Sequence, residues 1–335
     1  MSRVAITGAT GLVGGNLAKA LLERGHEVVC TKRSTSRTDH LDELDVSWVE
    51  ATLGDPSSLE AAFEGAQAVF HCAAAVSIKA KVTPTLHAAN VVGTENILAA
   101  CRAAGIERLV HCSSTVAVGL ATGDADANED TPWNFGDFGL ADGYATTKRQ
   151  SEELALGTED LDVVAVNPGF MFGPYDVRPS SGALLLEVVN RKVPGYSGGV
   201  NSFVDVRDVA EGMVLAMERG QRGERYILGG ENLTYGQVFE RIAAVAGTKA
   251  PGLGVPYWLA AVTGLFGDLG EAITGKEPLL NSNSMRWGYA EGFRFSSDKA
   301  RADLGYTTRP LEEGIAAALT WFREHDMVGP LPNFP

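Results

Sequence analysis

Apolar residues in the first half of the chain fall into short compact runs separated by stretches of helical spacing. Residues 4–7 form one such run, which ends at a glycine. From 12 to 24 the apolar positions recur at helical intervals, with Leu17, Leu21 and Leu22 on one side. Gly25 then stops the pattern, as glycine does at helix C-termini. Further strand-like runs lie at 26–31, 46–51, 68–72, 109–113 and 163–167, with helical patterns between them. Asp55-Pro56-Ser57-Ser58-Leu59 reads as a helix cap followed by proline at the first helical position. Such alternation predicts an α/β fold, a doubly wound parallel sheet with helices on both faces.

Beyond Pro168 the pattern changes. Gly and Pro become frequent between 174 and 199, and helical patterns follow at 206–218, 234–246, 257–274 and 311–324. A strand-like run at 224–228 sits between the first two. The expected organisation is a dinucleotide-binding domain from 1–166 and 202–230, with a smaller C-terminal α/β substrate lobe from 167–201 and 231–335. The apolar, glycine-rich stretch 252–274 is read as core of that lobe; a membrane-surface contact is the alternative, and the stretch is too short and glycine-rich for that to be favoured.

Composition narrows the function. The 335 residues carry 28 Lys+Arg against 42 Asp+Glu, a formal charge of −14, so the clustered cations of a nucleic-acid binder are missing. The longest apolar stretch, near 258–266, is about half of the ~20 residues a bilayer crossing needs, and no integral membrane segment is expected. No charged and apolar leader precedes the first strand pattern. Cys30, Cys72, Cys101 and Cys112 have no metal-ligand spacing and read as reduced core thiols. A cytoplasmic protein with no metal is the expectation.

The chemistry begins at Thr7-Gly8-Ala9-Thr10-Gly11-Leu12-Val13-Gly14, between the first strand and the first helix. Glycines there permit a tight turn and let backbone N–H groups approach a pyrophosphate at a helix N-terminus. In that context the turn points to a Rossmann-type dinucleotide site. An NAD(H) site wants an acidic residue at the end of the second strand. This chain instead has Lys32-Arg33-Ser34, then Arg37, with no carboxylate before Asp39. Cations suit a ribose 2′-phosphate, so NADP(H) is favoured, with Arg33 as the main contact. Tyr144 and Lys148 stand four apart, on one helix face. A nearby ammonium depresses a phenol pKa, and such a phenol can exchange a proton while hydride moves at carbon. Ser113 and Ser114 end the fifth strand, where a hydroxyl can hold a carbonyl oxygen.

Together, the glycine turn, Ser113-Ser114, Tyr144–Lys148 and Asn90-Val91-Val92-Gly93-Thr94 resemble an extended short-chain dehydrogenase/reductase over nearly the whole chain. The chain is most similar to the dihydroflavonol-4-reductase-like and 3β-hydroxysteroid-dehydrogenase-like branch, and at 223–234 to proteins labelled hopanoid-associated sugar epimerases. The resemblance implies Tyr144 as general acid/base and Lys148 as the residue that holds the nicotinamide ribose and lowers the phenol pKa. It implies Ser114, five residues before Gly119, on the substrate oxygen, and Asn90 in a water relay to Lys148. It places Gly8, Thr10, Gly11, Leu12, Val13, Cys72, Ala73, Ala74, Ser113, Pro168, Gly169 and Phe170 against the cofactor. Val76, Ser77, Phe170, Met171 and Met285 are implied beside the substrate. Where the family usually has an adenine-contacting Asp, this chain has Thr52, so Thr52 or the Leu53 backbone is left for adenine. A homodimer through the helices at 90–104 and 144–156 is also implied.

Three reactions compete: a carbonyl reductase or dehydrogenase, a nucleotide-sugar epimerase with tightly held NAD, and a non-catalytic dinucleotide sensor. Ser114, Tyr144 and Lys148 count against the sensor. Thr115-Val116-Ala117-Val118 lacks the acid and base of a sugar dehydratase. The cationic strand end and the apolar residues Phe170, Met171, Tyr257, Trp258, Leu259, Leu265, Phe266, Met285 and Trp287 favour a hydrophobic ketone or aldehyde. Arg178, Arg191, Lys192, Arg207 and Arg286 keep a diphosphate clamp open for the epimerase.

Overall fold

A computed structural model describes residues 2–274, 280–329, 331 and 334. In chain order the strands are β1 (Arg3–Thr7), β2 (Glu27–Lys32), β3 (Ser47–Glu50), β4 (Ala68–His71), β5 (Arg108–Cys112), β6 (Asp162–Pro168), β7 (Phe170–Phe172), β8 (Val200–Asp205), β9 (Arg225–Leu228) and β10 (Glu231–Thr234). The helices are α1 (Leu12–Glu23), α2 (Pro56–Phe63), α3 (Pro84–His87), α4 (Gly93–Ala103), α5 (Gly143–Leu156) and α6 (Ser181–Val189). They continue with α7 (Val206–Arg219), α8 (Tyr235–Ala246), α9 (Tyr257–Thr274), α10 (Ser282–Tyr289), α11 (Asp298–Leu304) and α12 (Leu311–Glu324).

Seven strands form one parallel sheet in the order β3-β2-β1-β4-β5-β6-β9. Parallel strands are covered on both faces, so their residues read as apolar runs with no alternation. Leu17, Leu21, Val209 and Met213 of α1 and α7 pack on one face. Leu59, Phe63, Ile97, Cys101 and Ala155 of α2, α4 and α5 cover the other. This is the Rossmann-type doubly wound fold, with its crevice where β1 and β4 lie side by side and the chain order switches.

A second sheet, β10-β8-β7, carries the smaller lobe. Its β10–β8 pair is antiparallel and its β7–β8 pair is parallel. Phe172, Phe203 and Leu233 from its strands pack with Leu185 of α6, Phe239 of α8 and Phe322 of α12. These three strands are bounded by Pro168-Gly169, Gly173-Pro174, Gly198-Gly199 and Gly229-Gly230 and are too short to show a period.

The structure corrects one expectation. Of the residues of α9 only Ala260 and Gly264 are buried, so 252–274 is not lobe core. Its glycines have a packing reason. A Cβ on Gly267 would stand 1.9 Å from the Leu280 carbonyl oxygen, and one on Gly264 would stand 2.9 Å from Ser282. The chain entering α10 lies directly against the inner side of α9, and the outer side is left to solvent.

Candidate active site

The C-terminal ends of β1, β4, β5 and β6 open into one cleft of about 1720 Å³. The glycine turn forms its floor. Gly8 has φ +76°, and a Cβ there would stand 2.6 Å from the Ala73 backbone nitrogen. A Cβ on Gly14 would stand 2.3 Å from the Gly8 carbonyl oxygen. Both glycines are therefore required by the fold. Gly11 is different: its Cβ would meet only the Gly8 carbonyl oxygen, at an ordinary 3.5 Å. The room beside Gly11 lies in the cleft, and α1 starts there with no side chain capping its N-terminus. Uncapped N–H groups at a helix N-terminus and space for close backbone approach fit a dinucleotide pyrophosphate. Thr10, Leu12 and Val13 line this part of the cleft, with Cys72, Ala73 and Ala74 across from them.

At the far end lie Lys32, Arg33, Arg37, Thr52 and Leu53. Arg37 is already held by Asp39, at 3.0 and 2.5 Å. Lys32 Nζ stands 6.0 Å from the centre of the Trp48 ring. The Arg33 guanidinium has no ion pair among the described residues. Asp55 caps α2, its carboxylate accepting from the backbone of Ser57 at 3.1 Å and Ser58 at 3.4 Å, so it is spent on the helix. The Leu53 carbonyl takes a hydrogen bond from Asn96 at 2.7 Å. His40 also lines this end, buried beside the Thr10 backbone, and burial lowers its pKa. It belongs to no motif and escapes a reading of the sequence.

Tyr144 and Lys148 project from the first turns of α5. Asp142 caps that helix, accepting from the Ala145 backbone at 2.8 Å. Tyr144 and Ser114 are hydrogen bonded through their side chains, and Lys148 Nζ donates to the Cys112 carbonyl at 2.9 Å. Burial pushes the Tyr144 phenol up to about 12, against the opposing pull of the Ser114 hydrogen bond. This corrects the lowered phenol pKa expected from the four-residue spacing. The ammonium is turned to the β5 carbonyl, and desolvation decides the phenol. Burial also lowers the Lys148 pKa, while the Cys112 thiol and the Glu152 carboxylate pull it back. Beneath the site, buried Glu152 pairs with Arg225 at 3.1 Å and with Asn167 at 2.5 Å. Asn167 donates to the Ser114 carbonyl at 2.9 Å as well, so this network ties α5 to the strand end carrying the serine.

Ser113, Pro168, Gly169 and Phe170 also line the cleft, and Ser113 is buried with its hydroxyl unpaired. Asn90 does not reach the cleft. It sits in a π-helical turn, Ala88–Val92. Its side chain accepts from Ala75 N at 2.7 Å and donates to the Ala75 carbonyl at 3.0 Å and to Thr147 Oγ1 at 3.1 Å. Those bonds pin the loop after β4 against α5.

The other wall is closed by Val76 and Ser77 from the loop after β4 and by Met171 and Met285 from the lobe. Tyr196, Asn201, Tyr235, Phe239 and Asn283 join them, from segments that carry no motif. Of the apolar residues expected beside a substrate, Phe170, Met171, Met285 and Trp287 are in the cleft, and Tyr257, Trp258, Leu259, Leu265 and Phe266 are exposed on α9. Of the five candidate diphosphate cations only Arg178 lines the cleft. Arg207 is paired with Asp205 at 2.5 Å, and Lys192 lies 3.8 Å from Glu187.

A Rossmann cleft with a tyrosine, lysine and serine at its centre defines a class of NAD(P)-dependent enzymes acting on CH–OH and C=O groups. The chain belongs to the NAD dependent epimerase/dehydratase family, whose model matches residues 4–229. A putative dihydroflavonol 4-reductase of Synechocystis sp. is 35% identical over 333 residues, covering 96% of this chain and 95% of that protein. Sterol demethylase protein B of Methylococcus capsulatus is 36% identical over 328 residues, covering 96% and 99%. Among solved structures, gox2253 superposes with a TM-score of 0.84 at 34% identity, covering 98% of this chain and 100% of that one. The nucleoside-diphosphate-sugar epimerase PA4631 of Pseudomonas aeruginosa gives 0.81 at 26% identity, covering 98% and 99%. These likenesses support oxidoreductase chemistry at carbonyl carbon.

Proposed function

We propose that the protein is an NADP(H)-dependent oxidoreductase that reduces a hydrophobic ketone or aldehyde to an alcohol, or runs the reverse reaction. The observation that carries this is the cleft itself: the hydrogen-bonded Ser114–Tyr144 pair opens onto a mainly apolar wall that offers Arg178 alone of the expected diphosphate cations. The bound nicotinamide supplies or accepts hydride at carbon. Ser114 Oγ holds the carbonyl oxygen, and the Tyr144 phenol gives it a proton, or takes one from the alcohol. Lys148, one turn from Tyr144, holds the nicotinamide ribose. The uncapped start of α1 takes the pyrophosphate, and Arg33 takes the 2′-phosphate. Relatives named as a ketoreductase of a farnesyl-dihydroquinoline oxide and as a 2-alkyl-3-oxoalkanoate reductase support an apolar carbonyl substrate.

The test is to extract and identify any nucleotide that co-purifies, and to follow NADPH and NADH oxidation against a panel of apolar ketones and aldehydes. Exchangeable cofactor with net NADPH consumption is expected. Tightly retained NAD with no net consumption overturns the reading and directs the next assay to nucleotide sugars.

A further inference from the structure

We propose that the smaller lobe carries a second polar subsite in the cleft, the Tyr235 hydroxyl backed by Asn201, which takes a neutral oxygen at the far end of an otherwise apolar substrate. The inference rests on the reading of the cleft as a site for a hydrophobic carbonyl compound and deepens it. Ser114 follows β5 and Tyr144 stands at the start of α5, and these two serve the reacting oxygen. Asn201 stands on β8 and Tyr235 at the first position of α8, so this pair reaches the cleft from the lobe. A ligand that meets both pairs needs two oxygen functions on one apolar body.

The hydrogen bonding of the pair leaves one donor over. Tyr235 and Asn201 are bonded through their side chains. The Asn201 side-chain carbonyl already accepts from the Ser202 backbone at 2.9 Å, which leaves its amide group to donate to the Tyr235 oxygen. The bond opposes the effect of burial and favours the phenolate, as donation to the phenol oxygen does. Burial still outweighs it and raises the Tyr235 pKa, so the phenol keeps its proton. That hydrogen is not used on Asn201. No acceptor for it stands among the described residues, and it is offered to the cleft.

The donor is fixed before any ligand arrives. A capping box starts α8, with Gln237 N donating to Thr234 Oγ1 at 3.2 Å and Thr234 N donating to Gln237 Oε1 at 2.9 Å. The Tyr235 ring packs edge-on against Phe203 at 5.8 Å and Phe239 at 6.3 Å. A Cβ on Gly236 would stand 3.0 Å from the Tyr196 ring, so that ring lies directly over the start of the helix. A polar hydrogen held on an aromatic wall orients a ligand, and a ligand without an acceptor leaves that hydrogen unpaired. Both members of the subsite are uncharged. A carboxylate set against them would give up its hydration for hydrogen bonds from neutral groups alone, so a hydroxyl, ether or carbonyl oxygen is the matching function.

The experiment is calorimetric titration of the full-length protein, loaded with NADP⁺, with 2-alkanones of about 8 to 16 carbons and with their counterparts carrying a hydroxyl at the far end. Binding needs no turnover, so the result stands apart from the assigned reaction. Tyr235→Phe loses one oxygen and keeps the ring packing, and its melting temperature reports that it is folded. At the chain length that spans the two pairs, the preference for the hydroxy ketone over the plain one should be roughly tenfold or more greater in the parent than in Tyr235→Phe. Plain ketones and NADPH should bind both proteins within about twofold. An equal preference in the two proteins at every chain length overturns the proposal. So does a Tyr235→Phe protein that loosens NADPH itself, which makes the residue a cofactor contact. So does a counterpart ending in a carboxylate that binds more tightly than the hydroxy ketone. Failure of every ketone, plain and hydroxy, to bind the loaded protein overturns the underlying reading of the cleft as well.

Discussion

The amide nitrogen of Asn283 stands 2.6 Å from Oδ2 of Asp142, and both side chains are buried. The other oxygen of Asp142 caps α5 two residues before Tyr144. Asn283 also donates to the Ile78 carbonyl at 3.1 Å. One amide thus joins the lobe helix α10, the loop after β4 and the start of the helix that carries Tyr144. The smaller lobe reaches Tyr144 through the cap of its helix.

Asn283→Ala leaves a buried carboxylate oxygen without its donor. A loss of about 1–3 kcal/mol in urea unfolding is expected. kcat/KM should fall by roughly tenfold as the start of α5 loosens, with the dissociation constant of NADPH unchanged. A variant as stable and as active as the parent would show that the link carries no load.

Tyr144→Phe removes the proton donor and keeps the ring. Turnover should fall by about 10³-fold or more while NADPH still binds. With the phenol held up at about 12, carbonyl reduction needs its protonated form and should stay flat from pH 6 to 9. Alcohol oxidation needs the deprotonated form and should climb with pH over the same range. A reduction rate that drops steeply between pH 6 and 8 would place the proton elsewhere.

His71 and His111 are fully buried on neighbouring strands under the site, their rings 5.4 Å apart. Burial holds His71 down at about 3 and His111 well below 6.5, with the Lys148 charge adding to both. The folded protein keeps both neutral, whereas the unfolded chain takes up protons once the pH falls below about 6.5. Stability is therefore intact above that pH and is lost as the pH falls towards the folded values. Each histidine contributes a slope of about 1.4 kcal/mol per pH unit in that window. His111 has neither ring nitrogen paired, so His111→Leu removes an unsatisfied buried group. It should cost little at pH 8 and flatten the acid slope by about half, as read from urea unfolding at pH 4 to 8.

What was legible in the sequence follows from the physics of each part. The parallel strands are buried on both faces and so announce themselves as apolar runs. The helices α1, α7, α9 and α12 carry a clear period, and the glycine turn and Tyr144–Lys148 are local in sequence. The small sheet has strands of three to six residues among glycines and prolines, too short to show a period. The far wall of the cleft, with Tyr196, Tyr235, Phe239 and Asn283, is assembled from distant segments that no spacing connects. For α9 the helix was plain, but its orientation was not. The glycines that weakened the case for a surface role are the ones that let α10 approach its inner side. The Tyr144 pKa failed for a related reason: spacing gives proximity to Lys148, whereas burial and the Cys112 carbonyl decide where the charge acts.

The two kinds of glycine in the turn can be separated. Gly8→Ala needs a left-handed backbone and drives a Cβ into Ala73, so a loss of about 2 kcal/mol or more is expected without any ligand. Gly11→Ala meets no tight contact and has an extended backbone, φ −104° and ψ 172°, open to alanine. Its melting temperature should stay close to the parent's, while NADPH affinity falls on the order of a hundredfold because the methyl occupies the pyrophosphate's space. Unchanged affinity in a folded Gly11→Ala protein would move the pyrophosphate away from α1.

Arg33 and Arg37 lie four residues apart at the same end of the cleft and should behave unequally. Arg37 is already neutralised by the two-point contact with Asp39, and an exposed pair of this kind has little charge left to offer. Arg33 has no such partner, and a guanidinium that meets a phosphate in two-point geometry is worth more than an ordinary hydrogen bond. Arg33→Ala should therefore weaken NADPH by roughly 10- to 100-fold and NADH by less than about twofold, since NADH lacks the 2′-phosphate. Arg37→Ala should change either cofactor by less than about threefold. Titration of both cofactors against both variants decides it: equal losses of NADPH and NADH in Arg33→Ala would remove the phosphate contact from this residue and with it the preference for NADP(H).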